Sequence, residues 1–147
     1  MNSNTPVNSC AGIFYDSGGQ AGNYSNSQTF TKTFCPTTPG SGIRLNFTTF
    51  SLGAGDTMAI YNGNSTAAPL YGTYSGSDGP GIIQANTSNP TGCLTVVFTS
   101  DGSGISTGWS ATISCITPCQ TINAVLVSSS PAANPSDNII KICQNTS

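Results

Sequence analysis

Two aspartates carry most of the chemistry this chain offers. Asp56 stands immediately before Thr57-Met58-Ala59-Ile60-Tyr61, and Asp101 stands in the Ser/Gly-rich run that follows Phe98. Carboxylates that meet at the end of two strands can cleave a glycosidic bond, which requires one of them to have a raised pKa. They can instead supply hard oxygens to a divalent cation, or cap turns through their own backbone. The rest of the inventory argues against catalysis. There is no His, the five acids are all Asp (Asp16, Asp56, Asp78, Asp101, Asp137), and the three bases are Lys32, Arg44 and Lys141. A serine nucleophile would therefore lack its usual base. Lys32, in an exposed alternating segment, is a poor substitute. The chain is read as a non-enzyme, with Asp56 and Asp101 as a cation site or a pair of turn caps.

Composition narrows the partners. Charged residues are 5% of the 147, against about 25% in ordinary soluble domains. Three bases cannot build the positive surface that phosphate backbones demand, which excludes nucleic acid. No apolar run approaches the ~20 residues of a membrane-spanning helix, which excludes that form of insertion. Solubility must come from Ser, Thr, Asn and Gly, as in many secreted β-proteins. The six cysteines, Cys10, Cys35, Cys93, Cys115, Cys119 and Cys143, contain no CxxC pair. Without His they do not match a zinc site, so disulfides and an oxidising, extracellular or cell-surface location are expected. Cysteines bracket the first and last strand pairs, which predicts Cys10–Cys35 and Cys93–Cys115. The second bridge would close a loop of about 20 residues and contribute roughly 3 kcal/mol. Met1 opens directly onto polar residues and is read as a mature or recombinant start.

The elements that must position the aspartates are strands. Leu94, Val96 and Phe98 alternate with Thr95, Val97 and Thr99, and Trp109, Ala111 and Ile113 alternate beyond the Thr99–Gly108 loop. If the two segments formed one antiparallel pair closed by Cys93–Cys115, these apolar sets would fall on opposite faces. Two facing sheets remove the conflict and are preferred to a register-shifting bulge. Upstream, strands are predicted at 10–15, 29–34, 43–52, 58–61, 70–74 and 82–85. The intervening turns include Pro36–Ser41 and Asn62-Gly63. Short alternating segments with frequent turns and no helical periodicity predict an all-β, antiparallel two-sheet sandwich or jelly roll. Trp109, Phe47, Phe50 and Phe98 are assigned to its core. Tyr15, Tyr24, Tyr61, Tyr71 and Tyr74 are the candidates for a sugar-stacking platform, although Tyr71 and Tyr74 fall on opposite strand faces.

The segments LNFTTFSL, GDTMAIYNG, YGTYSGS and LTVVFTSDGSGISTGWSATISC resemble a CUB domain in order and spacing, over residues 10–116. The DSGGQAGNYSN opening resembles the version found in large bacterial cell-surface and secreted proteins. The resemblance implies a calcium site in which Asp56 and Asp101 are ligands, joined by the Ser103 carbonyl, with Tyr24 supporting by hydrogen bonding. It also places a Glu ligand six residues after Phe47, where this chain has Gly53. Asp16 is the one remaining acid available to replace that carboxylate. Capping of turns stays the alternative.

The expected organisation is a polar lead-in (1–9), the CUB-like sandwich (10–116) and an extension (117–147). Ile122, Ala124 and Leu126 alternate in the extension, as do Ile140 and Ile142, and it resembles the first strands of a PKD repeat. Too short for that domain, it is expected to pack on its sandwich or pair with another chain by strand addition, which would make a homo-polymer. The function expected is adhesion or scaffolding through other protein chains or surface glycans. The alternatives are a carbohydrate-binding module of a secreted enzyme and a filament subunit.

Overall fold

The computed structural model describes residues 5–117, 120–123 and 139–142. Among these there are strands and turns but no helix. One sheet has five strands in the order β1 (Val7–Asn8), β3 (Thr29–Cys35), β8 (Leu94–Thr99), β5 (Thr57–Tyr61) and β6 (Leu70–Tyr74). The facing sheet has four, in the order β2 (Ile13–Tyr15), β9 (Gly108–Ile116), β4 (Gly42–Ser51) and β7 (Ile82–Gln84). Pairing is antiparallel except between β1 and β3. This is the all-β jelly-roll sandwich that the alternation predicts.

The placement of β8 and β9 in different sheets resolves the face conflict. Leu94, Val96 and Phe98 project from one sheet, Trp109, Ala111 and Ile113 from the other, and all six are buried between them. Trp109 is the central packing element. Its ring lies 4.9 Å from Phe98, 5.4 Å from Phe14 and 5.9 Å from Phe30, in the tilted geometries that aromatic quadrupoles favour. In β4 the inward positions are Ile43, Leu45 and Phe47, yet Phe50 and Leu52 also pack inward, at the opposite parity. A bulge between Phe47 and Thr49 inserts one residue and switches the faces.

The disulfide expectation is corrected. The bridges join Cys10 to Cys115 and Cys35 to Cys93, with Cα separations of 4.8 and 4.2 Å. Chain-adjacent β2 and β3 belong to different sheets, as do β8 and β9. Facing sheets stand about 10 Å apart, too far for Cα atoms that a disulfide holds within ~7 Å. Each bridge instead continues a ladder within one sheet. The β2–β9 register, carried outward from Ile13↔Thr112, sets 10 opposite 115. The β3–β8 register, carried outward from Phe34↔Leu94, sets 35 opposite 93.

Two further findings concern the ends of the chain. Val7–Asn8, inside the expected polar lead-in, adds a short parallel edge strand beside β3. In the extension, β10 (Gln120–Asn123) and β11 (Ile139–Ile142) pair with each other, Thr121 opposite Lys141, as a separate two-stranded sheet. Cys119 and Cys143, the remaining disulfide candidates, lie outside the described residues.

Candidate functional site

Asp56 ends a tight turn and begins β5. The turn is closed by the Asp56 N–H donating to the Gly53 carbonyl at 3.2 Å, with Gly55 at φ +91°, the positive value that a type II turn requires there. This geometry turns the Asp56 side chain inward, and the residue is fully buried. Its Oδ2 accepts from the Tyr24 hydroxyl at 2.5 Å, and its Oδ1 accepts from the Asp101 backbone N–H at 2.8 Å. The Tyr24 hydroxyl in turn accepts from the Gly53 N–H at 2.6 Å. Burial, and then the hydrogen bond to the Asp56 carboxylate, push the Tyr24 phenol up to about 12. Tyr24 also packs its ring edge-on against Phe98, 4.9 Å away, so the site is anchored directly in the core.

Asp101 is exposed and lies on the other side of this lock. Its backbone, not its carboxylate, reaches Asp56, and its carbonyl accepts from the Ser27 N–H at 2.6 Å. The carboxylate folds back on its own loop, where Oδ1 accepts from the Ser103 N–H at 2.8 Å. Its Oδ2 lies 2.2 Å from where a Cβ on Gly55 would stand. The loop therefore closes tightly over the Gly53–Asp56 turn. At Gly53 a Cβ would fall 1.6 Å from the Gly104 carbonyl oxygen and 2.9 Å from Asp56 Oδ2.

Asp16 sits at the other end of the same loop. Following β2 and 2% exposed, it accepts from the Gly18 N–H at 2.6 Å through Oδ1 and from the Trp109 N–H at 3.2 Å through Oδ2. Burial raises its pKa, while the hydrogen bonds from Gly18 and Trp109 act in the opposite direction. Two buried carboxylates thus grip the two ends of the loop, Asp56 at Asp101 and Asp16 at Trp109. Between them the Ser51 and Ser106 hydroxyls bond at 2.7 Å, and Ser100 is tied into the Ser25–Gln28 segment through Gln28 and Ser25. Gln28, Ser51 and Ser106 are contributors the residue pattern does not single out. Polar residues of a Ser/Thr-rich chain carry no signal of which ones are paired.

The structure brings Asp56, Asp101, Tyr24 and the Ser103 backbone together, while Asp16 makes its own contacts at Trp109. Among the described residues no three His, Cys, Asp or Glu side chains cluster as a metal-holding group. The tyrosines form no stacking platform. Tyr24 is buried, Tyr15, Tyr61 and Tyr74 are half-buried, and exposed Tyr71 donates its hydroxyl to the Gln84 carbonyl at 2.7 Å.

Comparison with known proteins agrees with this architecture. A family model described as the CUB domain matches residues 15–113. No curated protein matches by sequence. The chain superposes on the CUB1-EGF-CUB2 domain of human MASP-1/3 with a TM-score of 0.61, 19% identity, and coverage of 78% of this chain and 42% of that one. The full extracellular region of zebrafish Gpr126/Adgrg6 gives 0.64 and 17%, with 84% and 16% covered. The MASP-1 CUB2 domain bound to Ca2+ gives 0.59 and 19%, with 76% and 98% covered. The chain thus spans less than half the length of the first two, and at these identities the likeness is one of fold. The family model covers most of the sandwich, from the end of β2 into β9, and on that match the chain belongs to the CUB domain family.

Proposed function

We propose that this CUB domain is a non-catalytic adhesion or scaffolding module of a larger bacterial surface or secreted protein, binding another protein chain through its pinned loop. The observation that carries this reading is the Thr99–Gly108 loop itself. It is held at both ends by buried carboxylates, yet it presents Asp101, Gly102, Ser103 and the half-exposed side chain of Ile105 to solvent. A loop fixed before contact loses little entropy on binding, and an aliphatic anchor beside a carboxylate suits a protein surface with an apolar pocket and a basic rim. The 5% charge content and the paired cysteines support an extracellular setting. The bacterial assignment is supported by the DSGGQAGNYSN opening. Residues 117–147 are read as the start of a following PKD-like domain.

The glycan alternative is the weaker reading, because the tyrosines offer no coplanar exposed pair. Strand donation by the extension is also less favoured, since β10 and β11 already pair with each other. Surface plasmon resonance against a panel of purified extracellular-matrix and cell-surface proteins tests the proposal, with a glycan array beside it. The expected outcome is binding to a protein that Ile105→Ser weakens about tenfold or more, the loss of one buried aliphatic anchor, with the melting temperature unchanged. Binding confined to glycans, or protein binding indifferent to Ile105→Ser, would overturn it.

A further inference from the structure

We infer that in this CUB domain protein groups alone hold the loop end that calcium would otherwise organise. The family resemblance implies carboxylate ligands at 53, 56 and 101 beside the Ser103 carbonyl, and the three carboxylate positions can be tested for fit. At 53 no carboxylate can exist on this backbone, because the Gly104 carbonyl occupies the place of the first side-chain atom. At 56 the residue has no solvent-exposed surface, and its carboxylate is enclosed by the Tyr24 hydroxyl and the Asp101 N–H, which donate to its two oxygens. At 101 one oxygen accepts from Ser103, and the other faces the Gly55 turn. Asp16 does not substitute, since its carboxylate is buried against Gly108 and Trp109 at the opposite end of the loop.

Calcium needs six to eight hard oxygens. Here N–H and O–H donors turn their partial positive charge toward the buried carboxylates in place of a cation, and the turn and loop close on each other directly. The Tyr24–Asp56–Asp101 chain does the metal's work, tying β5, the 24–28 segment and the 101–106 loop into one unit. Its consequence is a loop surface that stays formed in calcium-poor or chelating surroundings.

The test uses the full chain with calcium and terbium chlorides as probes. Thermal melts in EDTA and in about 5 mM calcium, above the roughly 0.1–1 mM range of weak extracellular sites, are expected to agree within about 2 °C. Calorimetry should show no saturable heat, and terbium no sensitised emission through nearby Tyr24 and Trp109. Tyr24→Phe and Asp101→Asn keep the shapes of their side chains, and Tyr24→Phe should lower the melting temperature equally in EDTA and in calcium. A saturable melting-temperature rise above 2 °C that Asp101→Asn abolishes overturns the inference, as does sensitised terbium emission displaced by calcium. Failure here leaves the protein-binding proposal standing. Absence of any protein partner would sink that proposal and leave the calcium-free lock intact.

Discussion

The two ends of the sandwich are held by different physics. Where β8 begins and β9 ends, Cys35–Cys93 and Cys10–Cys115 clamp neighbouring strands within each sheet. Where β8 ends and β9 begins, two buried aspartates hold the connecting loop through hydrogen bonds. The covalent end acts mainly by restricting the unfolded chain, whatever the pH. The polar end acts in the folded state, where each donor and acceptor must be satisfied or cost its desolvation. A protein so built should lose global stability when its disulfides are removed, and loop order when its carboxylates are.

The largest effect should come from the disulfides. The bridges span 105 and 58 residues, and the chain-entropy relation gives about 4–5 kcal/mol for either alone, less than double for the nested pair. Urea denaturation of the reduced protein should show the midpoint falling steeply. A change under about 2 kcal/mol would mean the unfolded chain is already compact, and the contrast between the two ends would weaken.

Asp56→Ala comes next. It leaves the Tyr24 hydroxyl and the Asp101 N–H without their buried acceptor, a cost of about 2–4 kcal/mol. Hydrogen exchange should show the 100–107 amides losing protection while β3 and β8 keep theirs. Uniform loss across the sandwich would show that the loop end is part of the global unit.

Tyr24 sharpens the comparison at alkaline pH. With its folded phenol raised to about 12, the unfolded chain gives up its proton first, near the ordinary phenol value of 10.0. Stability is present below that value and is lost as pH climbs from 10 through 12, by about 2–3 kcal/mol for a two-unit gap. Tyr24→Phe, less stable at neutral pH, should close on the wild type over this window in chemical-denaturation curves. Parallel curves would place the phenol in solvent.

Asp16 predicts the smallest effect, opposite in sign to that of most carboxylates. Its folded pKa is raised above 3.8, so its contribution is fully present below 3.8 and lost as pH rises through the folded value. Lowering pH from 7 to 4 should therefore favour the wild type relative to Asp16→Asn. If Asp16→Asn gains instead, the Gly18 and Trp109 hydrogen bonds outweigh burial.

Much of the fold is written in local residue patterns. Alternation at 94–98, 109–113 and 43–47 specifies strands with one apolar face, and the clash of faces across 93–115 favours two facing sheets over a bulge. Val7–Asn8 escaped because two residues have no period. They become a strand only where β3 offers an edge, and the parity switch at Phe50 becomes intelligible once the bulge is seen. At the site, Asp56, Asp101 and Tyr24 were legible through motif resemblance, and Gly53 marked the departure from it.

Residue order was enough for the fold class and for the apolar faces of the main strands, because alternation is a local property; Tyr24, offered as a sugar-stacking candidate, is a core residue that no local pattern marks. Tertiary structure alone decided the disulfide partners, because sheet neighbours are not chain neighbours: Cys10 meets Cys115 across a ladder that joins the two ends of the domain. It also decided what the aspartates do. Whether a carboxylate meets an N–H, a hydroxyl or a cation depends on which backbone atoms close over it, and here the Gly104 carbonyl stands against Gly53 while the amides of Asp101 and Trp109 point at Asp56 and Asp16.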